Sequence, residues 1–435
     1  MTGHSIARGS FWLMIASALC LAGMWLYVQR VLVSYQVSDA ASHGRPRGNL
    51  SDLYPRWLGA RELLLHGRDP YSAEVTREVQ AGYYGRPLDA SRPADPKDQQ
   101  AFAYPLYVVF YLAPTVRFPF DLVRQGFFWF LLVLTVCSIP IWLRVLDWRL
   151  VWSMQWVVIA LTLGSLVVLQ ALKLQQMTLL VAALLAIAIA LLMRDRGIEA
   201  GILLALATIK PQLICGLLLW LAIWTTGDWK HRYRWMISFL TTLIVLCVAA
   251  ELYLPHWISR FWQAAHEYQA YTYAVPLLDK LIPMPLSRLA ELGVGIGMVL
   301  SSWRYRRVVH SSSDFALMAC LVLVLTLMII PTYALYNQVL LIPSLLLIAR
   351  DRRTLWDTNR VSRFLVAAVA VLLIWPYFSG TILAGLSFFM SREVVQKAWA
   401  VPGWTALTLP VAVAALMWLV AYRGTSAAPA KRVSA

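Results

Sequence analysis

The stretch 48–71, GNLSDLYPRWLGARELLLHGRDPY, places three carboxylates and three arginines in a chain that is otherwise mostly apolar. A positioned carboxylate can take a proton from a hydroxyl. An arginine grips phosphate through its planar fork, and aromatic rings stack on sugars or prenyl groups. Asp52 is the first candidate base. It lies just ahead of Pro55, which fits the first position of a helix, so its charge falls where helical N–H groups and the dipole favour an anion. The plain alternative is a cap, or an ion pair with Arg56. Asp69, in GRDPY, reads first as a turn residue, Glu62 as part of a solvated helix face, and Asp39 as a reserve carboxylate at the end of the first span. Arg56, Arg61 and Arg68 are candidate phosphate ligands, or else ordinary interfacial arginines.

Further along, Lys210 sits inside an apolar stretch. An intramembrane charge is costly and is a functional candidate by default, with snorkelling to the surface as the alternative. Tyr104 and Gln176 are candidate pocket residues, though either could simply pack or bridge helices. The segment 255–271, PHWISRFWQAAHEYQAY, carries His256 and His266 among Trp257, Trp262 and Glu267. Its aromatics read first as an interfacial belt and second as an acceptor site. There is no Gly-rich phosphate loop, no H-E-x-x-H and no G-x-S-x-G, which speaks against nucleotide hydrolysis and the common hydrolytic triads. The five cysteines (20, 137, 215, 247, 320) all lie in apolar segments, so no disulfide and no cysteine metal site is expected. Nothing in the residue set calls for a metal or a cofactor.

The elements that must position these residues are membrane helices. Of the 435 residues 60% are hydrophobic and only 14% charged, against about a quarter charged in a soluble domain. The apolar runs are long and continuous, as helices require and barrel strands do not. The net charge of +16 is concentrated in short loops, as the positive-inside rule expects, and does not indicate nucleic acid. Spans are expected at 11–33, 121–145, 151–170, 176–193, 235–254, 284–302, 313–331, 337–349, 362–378 and 402–422. Pro211 disfavours helix at Lys210, so the region 199–224 is read as two half-length helices broken there, with the tip near the outer face. About twelve crossings follow. The basic loops RVLDWR, RDR, KHRYR, RYRR, RDRR and the tail KR then face the cytoplasm, and 34–120, 255–283 and 379–401 face outward. The first outer loop is expected to hold an amphipathic helix from Pro55 to Gly67, with Leu58, Leu63, Leu64 and Leu65 toward the membrane. A second helix is expected at 72–84, and an interfacial or re-entrant piece at 101–115. The whole chain, 1–435, is one polytopic domain.

The ordered series SDL…LLLHGRDPY, FAYPLYVVFYLAP, QQMTLLVAALLAIA, AGILLALATIKPQ and YNQVLLIPSLLLI resembles glycosyltransferase family 87 across residues 50–350. The resemblance implies an all-α polytopic GT-C-type helical bundle with an outer-face site. It implies a bacterial inner-membrane enzyme that moves a hexose, such as mannose, with inversion from a polyprenyl-phosphate donor to a lipid-linked or surface glycan. The family's early loop aspartate maps to Asp52. This chain departs from the family's pattern in four places. Arg56 and Trp57 stand where aromatics are usual, Gln175-Gln176 replaces a Gly-Gln, and Leu106 replaces the second proline of Tyr-Pro-Pro. The segment 331–338, PTYALYNQ, lacks a histidine that some members carry. The alternatives from other classes are a transporter or flippase for lipid-linked sugars, for which paired broken helices or repeated halves are expected, and a non-catalytic assembly subunit.

Overall fold

A computed structural model of the chain describes residues 3–45, 51–272 and 275–424, with side chains from residue 11 to 422. Part of the connector 43–49 and the tail KR lie outside the described residues. Within the described residues every regular element is helical. The order is α1 (Gly3–Tyr27), a π-helical stretch (Val28–Val33), α2 (Ser34–Ser42), α3 (Tyr54–His66), α4 (Ala73–Tyr84), α5 (Val108–Leu112), α6 (Phe120–Val145), α7 (Trp152–Gly164), α8 (Leu166–Lys173), α9 (Thr178–Leu192), α10 (Gly197–Ala207), α11 (Pro211–Thr226), α12 (Trp229–Tyr253), α13 (Trp257–Thr272), α14 (Leu286–Arg304), α15 (Ser313–Ile329), a 3-10 turn (Leu335–Leu341), α16 (Ile342–Thr358), α17 (Arg360–Leu386), α18 (Arg392–Gln396) and α19 (Thr408–Gly424).

Among the described residues, five helical stretches are long and apolar enough to cross a membrane, and six if α7 and α8, bent by 61°, count as one span. Their surfaces show what solvent they need. On α12, Ile237, Leu240, Ile244, Val245, Val248 and Leu252 are all exposed. An apolar face of that extent belongs against lipid rather than water. The chain is a multi-pass membrane protein. The expected count of twelve is not reached by length and composition alone, because α9, α10, α11 and α15 are apolar but short. The segment 101–115 does not cross, as expected: it contains only the five-residue α5 and a 3-10 turn.

The break at Lys210 is present, and the two halves fold back on each other. At the start of α10, Gly197 and Gly201 lie against the backbone of Trp235 on α12. At the end of α11, Thr225 Oγ1 accepts a hydrogen bond from the same Trp235, at 2.8 Å. Both far ends of the hairpin therefore meet one residue, and Lys210 is at the tip. A side chain at Gly201 would overlap Trp235 O and Ser238 Oγ, so glycine is what allows α10 to lie so close to α12. The helices are about 16 and 24 Å long at 1.5 Å per residue, short of or close to the roughly 30 Å hydrocarbon core. The basic loops meet one another away from this tip: Arg350 donates to Leu146 O, and Arg232 donates to Trp224 O and to Arg306 O.

The first loop differs from expectation in one respect. α3 begins and ends as predicted, with Pro55 in its first turn and Gly67 left-handed at φ 65° after its end, and α4 follows with Ser72 capping Val75 N at 3.2 Å. But α3 does not lie on a surface with a leucine stripe toward lipid. Leu58 and Leu63 are buried within the protein, and only Leu65 of the four leucines is exposed. Glu62 is also buried rather than solvated, and it accepts from Arg68 Nη1 at 2.9 Å. The cause is that α4 and α5 both pack on α3, which covers most of its length and leaves Leu65 and His66 exposed at its end.

The positive-inside reading predicts the sidedness of this bundle. Cysteines placed at the exposed Ser91 and Ser311 can be probed with an impermeant thiol reagent in intact cells. Labelling is expected at 91 and not at 311; the reverse pattern would invert the topology.

Candidate active site

The start of α3 is anchored on the turn that ends α8. Asp52 N donates to Leu174 O at 3.1 Å, and Ser51 Oγ donates to Leu174 O at 3.1 Å and to Gln175 Oε1 at 2.6 Å. The α8 turn is a Schellman closure: Gln176 N donates to Ala171 O at 2.8 Å and Gln175 N to Leu172 O at 3.2 Å. Gln175 occupies the left-handed position, φ 47°, where glycine is ordinarily preferred. That is the position where the related motif has Gly-Gln. Here the side chain of Gln175 offsets the strain by donating to Leu172 O at 2.7 Å and Lys173 O at 3.0 Å.

This turn delivers Gln176 under Asp52. Gln176 Nε2 donates to Asp52 Oδ2, and Tyr83 Oη lies 3.5 Å from Asp52 Oδ1. Burial pushes the Tyr83 phenol well above its ordinary range, so it stays a proton donor. On its other side Gln176 Oε1 accepts from Lys210 Nζ at 2.6 Å. Lys210 also donates to Thr178 Oγ1 at 2.8 Å and sits 4.9 Å from the Tyr336 ring centroid. It is 3% exposed. The lysine has not snorkelled to an outer surface; it is buried at the hairpin tip, on the lining of a cavity.

Arg56 enters from α3. Gly59, one turn on, lies so close to Phe102 that a Cβ would meet its ring. Residues 102–104 can therefore lie along α3, and Tyr104 falls on Arg56. The guanidinium sits 3.9 Å from the Tyr104 ring centroid, and Nη2 donates to Tyr104 Oη. Tyr71 secures the segment by donating to Tyr104 O at 2.6 Å. Arg56 is 7% exposed, and its Nε and Nη1 are buried without a hydrogen-bond partner among the described residues.

These groups border one cavity of about 490 Å³. Its lining includes Asp52, Arg56, Asp98 and Tyr104 of the first loop, Lys210 and Gln212 of the hairpin tip, Trp262, His266 and Tyr268 of α13, and Tyr333, Tyr336 and Asn337 after α15. The cavity thus collects Asp52, Arg56, Tyr104, Lys210 and His266, with Gln176 directly behind. Three sequence candidates lie elsewhere. Arg61 packs 5.4 Å from the Trp57 ring centroid. Arg68 is held by Glu62 and Glu78, at 2.9 and 2.7 Å. His256 is exposed at the start of α13, outside the cavity lining. Asp69 behaves as a turn residue, accepting from Tyr71 N at 2.9 Å, and pairs with Arg260 of α13. Asp39 pairs with Arg45 at 3.4 Å, away from the cavity.

Asp98 is the site residue that sequence reasoning missed. It lies in the segment 89–100, DASRPADPKDQQ, whose composition reads as a polar connector. Its carboxylate accepts from Gln100 N at 2.9 Å and Gln100 Nε2 at 2.8 Å. The left-handed Gln100, φ 54°, was the one feature that a sequence does not display. Burial pushes the Asp98 carboxyl up to about 6 from 3.8, with the Asp52 charge adding to it.

A carboxyl whose folded pKa is raised binds its proton more tightly when folded, so stability falls as pH rises through the window between the two values. Asp98→Asn keeps the shape and removes the ionisation. Its melting temperature in detergent should rise relative to the parent between about pH 4 and 6 and hold a constant lead above, equivalent to about 2–3 kcal/mol. A lead independent of pH would mean that Asp98 is ordinarily solvated.

Residues 102–331, just over half of the chain, match the sequence profile of glycosyltransferase family 87. No curated protein matches the chain significantly. The matched region contains Tyr104, Gln176, Lys210 and His266, while Asp52 and Arg56 precede it. With its bundle of apolar helices and a cavity that gathers acid, base and aromatic groups at one end, the chain belongs to glycosyltransferase family 87 and is a membrane glycosyltransferase.

Proposed function

We propose that this enzyme moves a hexose, with mannose the sugar its family resemblance implies, from a polyprenyl phosphate to a hydroxyl of a lipid-linked or surface glycan, in the bacterial inner membrane with the cavity facing outward. The observation that carries this reading is Arg56: a buried guanidinium on the wall of the cavity, with Nε and Nη1 unpartnered, beside a carboxylate. An unpaired buried cation is costly, and a phosphate is the ligand its fork fits best. Lys210 adds positive charge at the same end, where charge develops on the leaving phosphate. Arg61 and Arg68 take no part.

Asp52 removes the proton from the acceptor hydroxyl. The oxygen attacks the anomeric carbon, the bond from that carbon to the phosphate oxygen breaks, and the polyprenyl phosphate leaves with the electron pair. Configuration inverts in one displacement. Asp52 suits the role because one oxygen is held by Gln176, while it still lines the cavity. Trp262, His266 and Tyr268 supply an aromatic wall for sugar. The bend at Ser165 and the break at Lys210 are the discontinuities that a lipid-sugar transporter would use. The break at Lys210 instead serves one cavity, because it holds Lys210 on the lining.

Asp52→Asn preserves size but is a very poor base. Transfer from radiolabelled polyprenyl-phosphate mannose to a membrane lipid extract should fall about 10²–10⁴-fold, with yield and melting unchanged. Asp69→Asn should lose far less. If both transfer normally, the acid–base reading fails; if only Asp69→Asn is dead, the base has been misassigned. A separate binding test isolates Arg56. Arg56→Met should weaken binding of polyprenyl phosphate at least tenfold, consistent with a charge-assisted hydrogen bond worth about 1.5–3 kcal/mol. Unchanged binding would place the phosphate elsewhere.

A further inference from the structure

We infer that Gln176 is a positioning residue whose amide is oriented by Lys210, so that Lys210 acts on Asp52 through Gln176. This rests on Asp52 being the base. The geometry is a chain of buried polar contacts: Lys210 Nζ to Gln176 Oε1 at 2.6 Å, then Gln176 Nε2 to Asp52 Oδ2. An ammonium has only donors, so it must face the carbonyl oxygen of the amide. That leaves the NH2 group, which has only donors, to face Asp52. Reversing the amide would set NH2 against NH3⁺ and a carbonyl against a carboxylate, two repulsions in a site where Gln176 is fully buried and low dielectric magnifies both.

Lys210 is itself fixed. Thr178 Oγ1 accepts from it at 2.8 Å and donates to Asn337 Oδ1 at 3.3 Å. Tyr336 covers the ammonium with its ring. The chain therefore runs from the 3-10 turn after α15, through α9 and the hairpin tip, to the start of α3. The links from Lys210 to Gln176 and from Gln176 to Asp52 each have one sensible donor–acceptor direction. Its product is an aspartate with Oδ2 committed and its plane fixed, which leaves Oδ1, touched only by the long 3.5 Å contact from Tyr83, as the oxygen presented to an incoming hydroxyl. The other groups near Asp52 are the phenols of Tyr83, Tyr84, Tyr104, Tyr268 and Tyr336 and the cations Arg56 and Lys173, with Asp98 the second carboxylate of the cavity.

The test combines a pH profile with a double-mutant cycle, read as transfer from radiolabelled polyprenyl-phosphate mannose to a membrane lipid extract. Gln176→Glu replaces the donor by a carboxylate that pairs with Lys210 and repels the Asp52 charge. The acid limb of kcat should move up by about one pH unit, with kcat at neutral pH down at least tenfold and donor KM within about threefold. Lys210→Met and Gln176→Met should each lower kcat. The double variant should cost no more than the worse single one, because residues acting through one contact are not additive. An unmoved acid limb in Gln176→Glu, or additive losses in the cycle, would overturn the relay. Should Gln176→Glu fail to fold, Gln176→Met and the cycle decide. If Asp52→Asn keeps normal transfer, the catalytic reading has failed; if it is dead while the Gln176 variants are normal, only the relay has.

Discussion

Two cations, Arg56 and Lys210, are buried beside one cavity, and much of the surrounding structure answers the cost of keeping them there. Each rests against an aromatic ring, Tyr104 for the arginine and Tyr336 for the lysine. Such contacts contribute about 0.5–2 kcal/mol when desolvated, less than the burial of a full charge costs. Oxygen ligands make up part of the rest for Lys210. Arg56 has fewer: only its Nη2 is engaged. This asymmetry leaves Arg56 the more receptive of the two cations, while Lys210 is already held by oxygens of the protein.

The constraint also explains the order of the chain. Asp52 and Arg56 are four residues apart on the first loop, yet the groups that tune them come from residues 176, 210 and 336. A site assembled from such distant segments needs fixed joints. The Schellman turn at Gln175 is one, because it points Gln176 upward as α8 ends. The close passage of Phe102 over Gly59 is another. Neither residue need touch a substrate for its loss to displace one.

Much of the fold was legible in the sequence because lipid simplifies the rules. Apolar runs mark helices, and Pro211 after Lys210 marked the hairpin break that the backbone indeed makes. The start of α3 at Pro55 and its stop at Gly67 were legible for the same local reason. What failed was inference about faces. Leu58, Leu63 and Glu62 were assigned surroundings from composition alone, but their surroundings are α4 and α5, brought over them by tertiary packing. Among the arginines, type and position could not distinguish Arg56 from Arg68, since the difference lies in Glu62 and Glu78 closing on one and nothing closing on part of the other. Asp98 was invisible because its connector owes its path to a left-handed Gln100.

The hairpin tip has a consequence for biosynthesis. Where a helix breaks within a membrane, its freed carbonyls have no water to turn to. Here Tyr107 donates to Thr208 O at 3.0 Å and Tyr111 to Leu206 O at 2.8 Å, so α5 satisfies the tip from outside the hairpin. α5 is synthesised about a hundred residues before the tip. A ribosome working from the N-terminus therefore delivers the clamp before the break that needs it, and the hairpin can settle as soon as it emerges. The opposite order would leave a half-length, proline-broken segment waiting in lipid with part of its polar backbone unsatisfied.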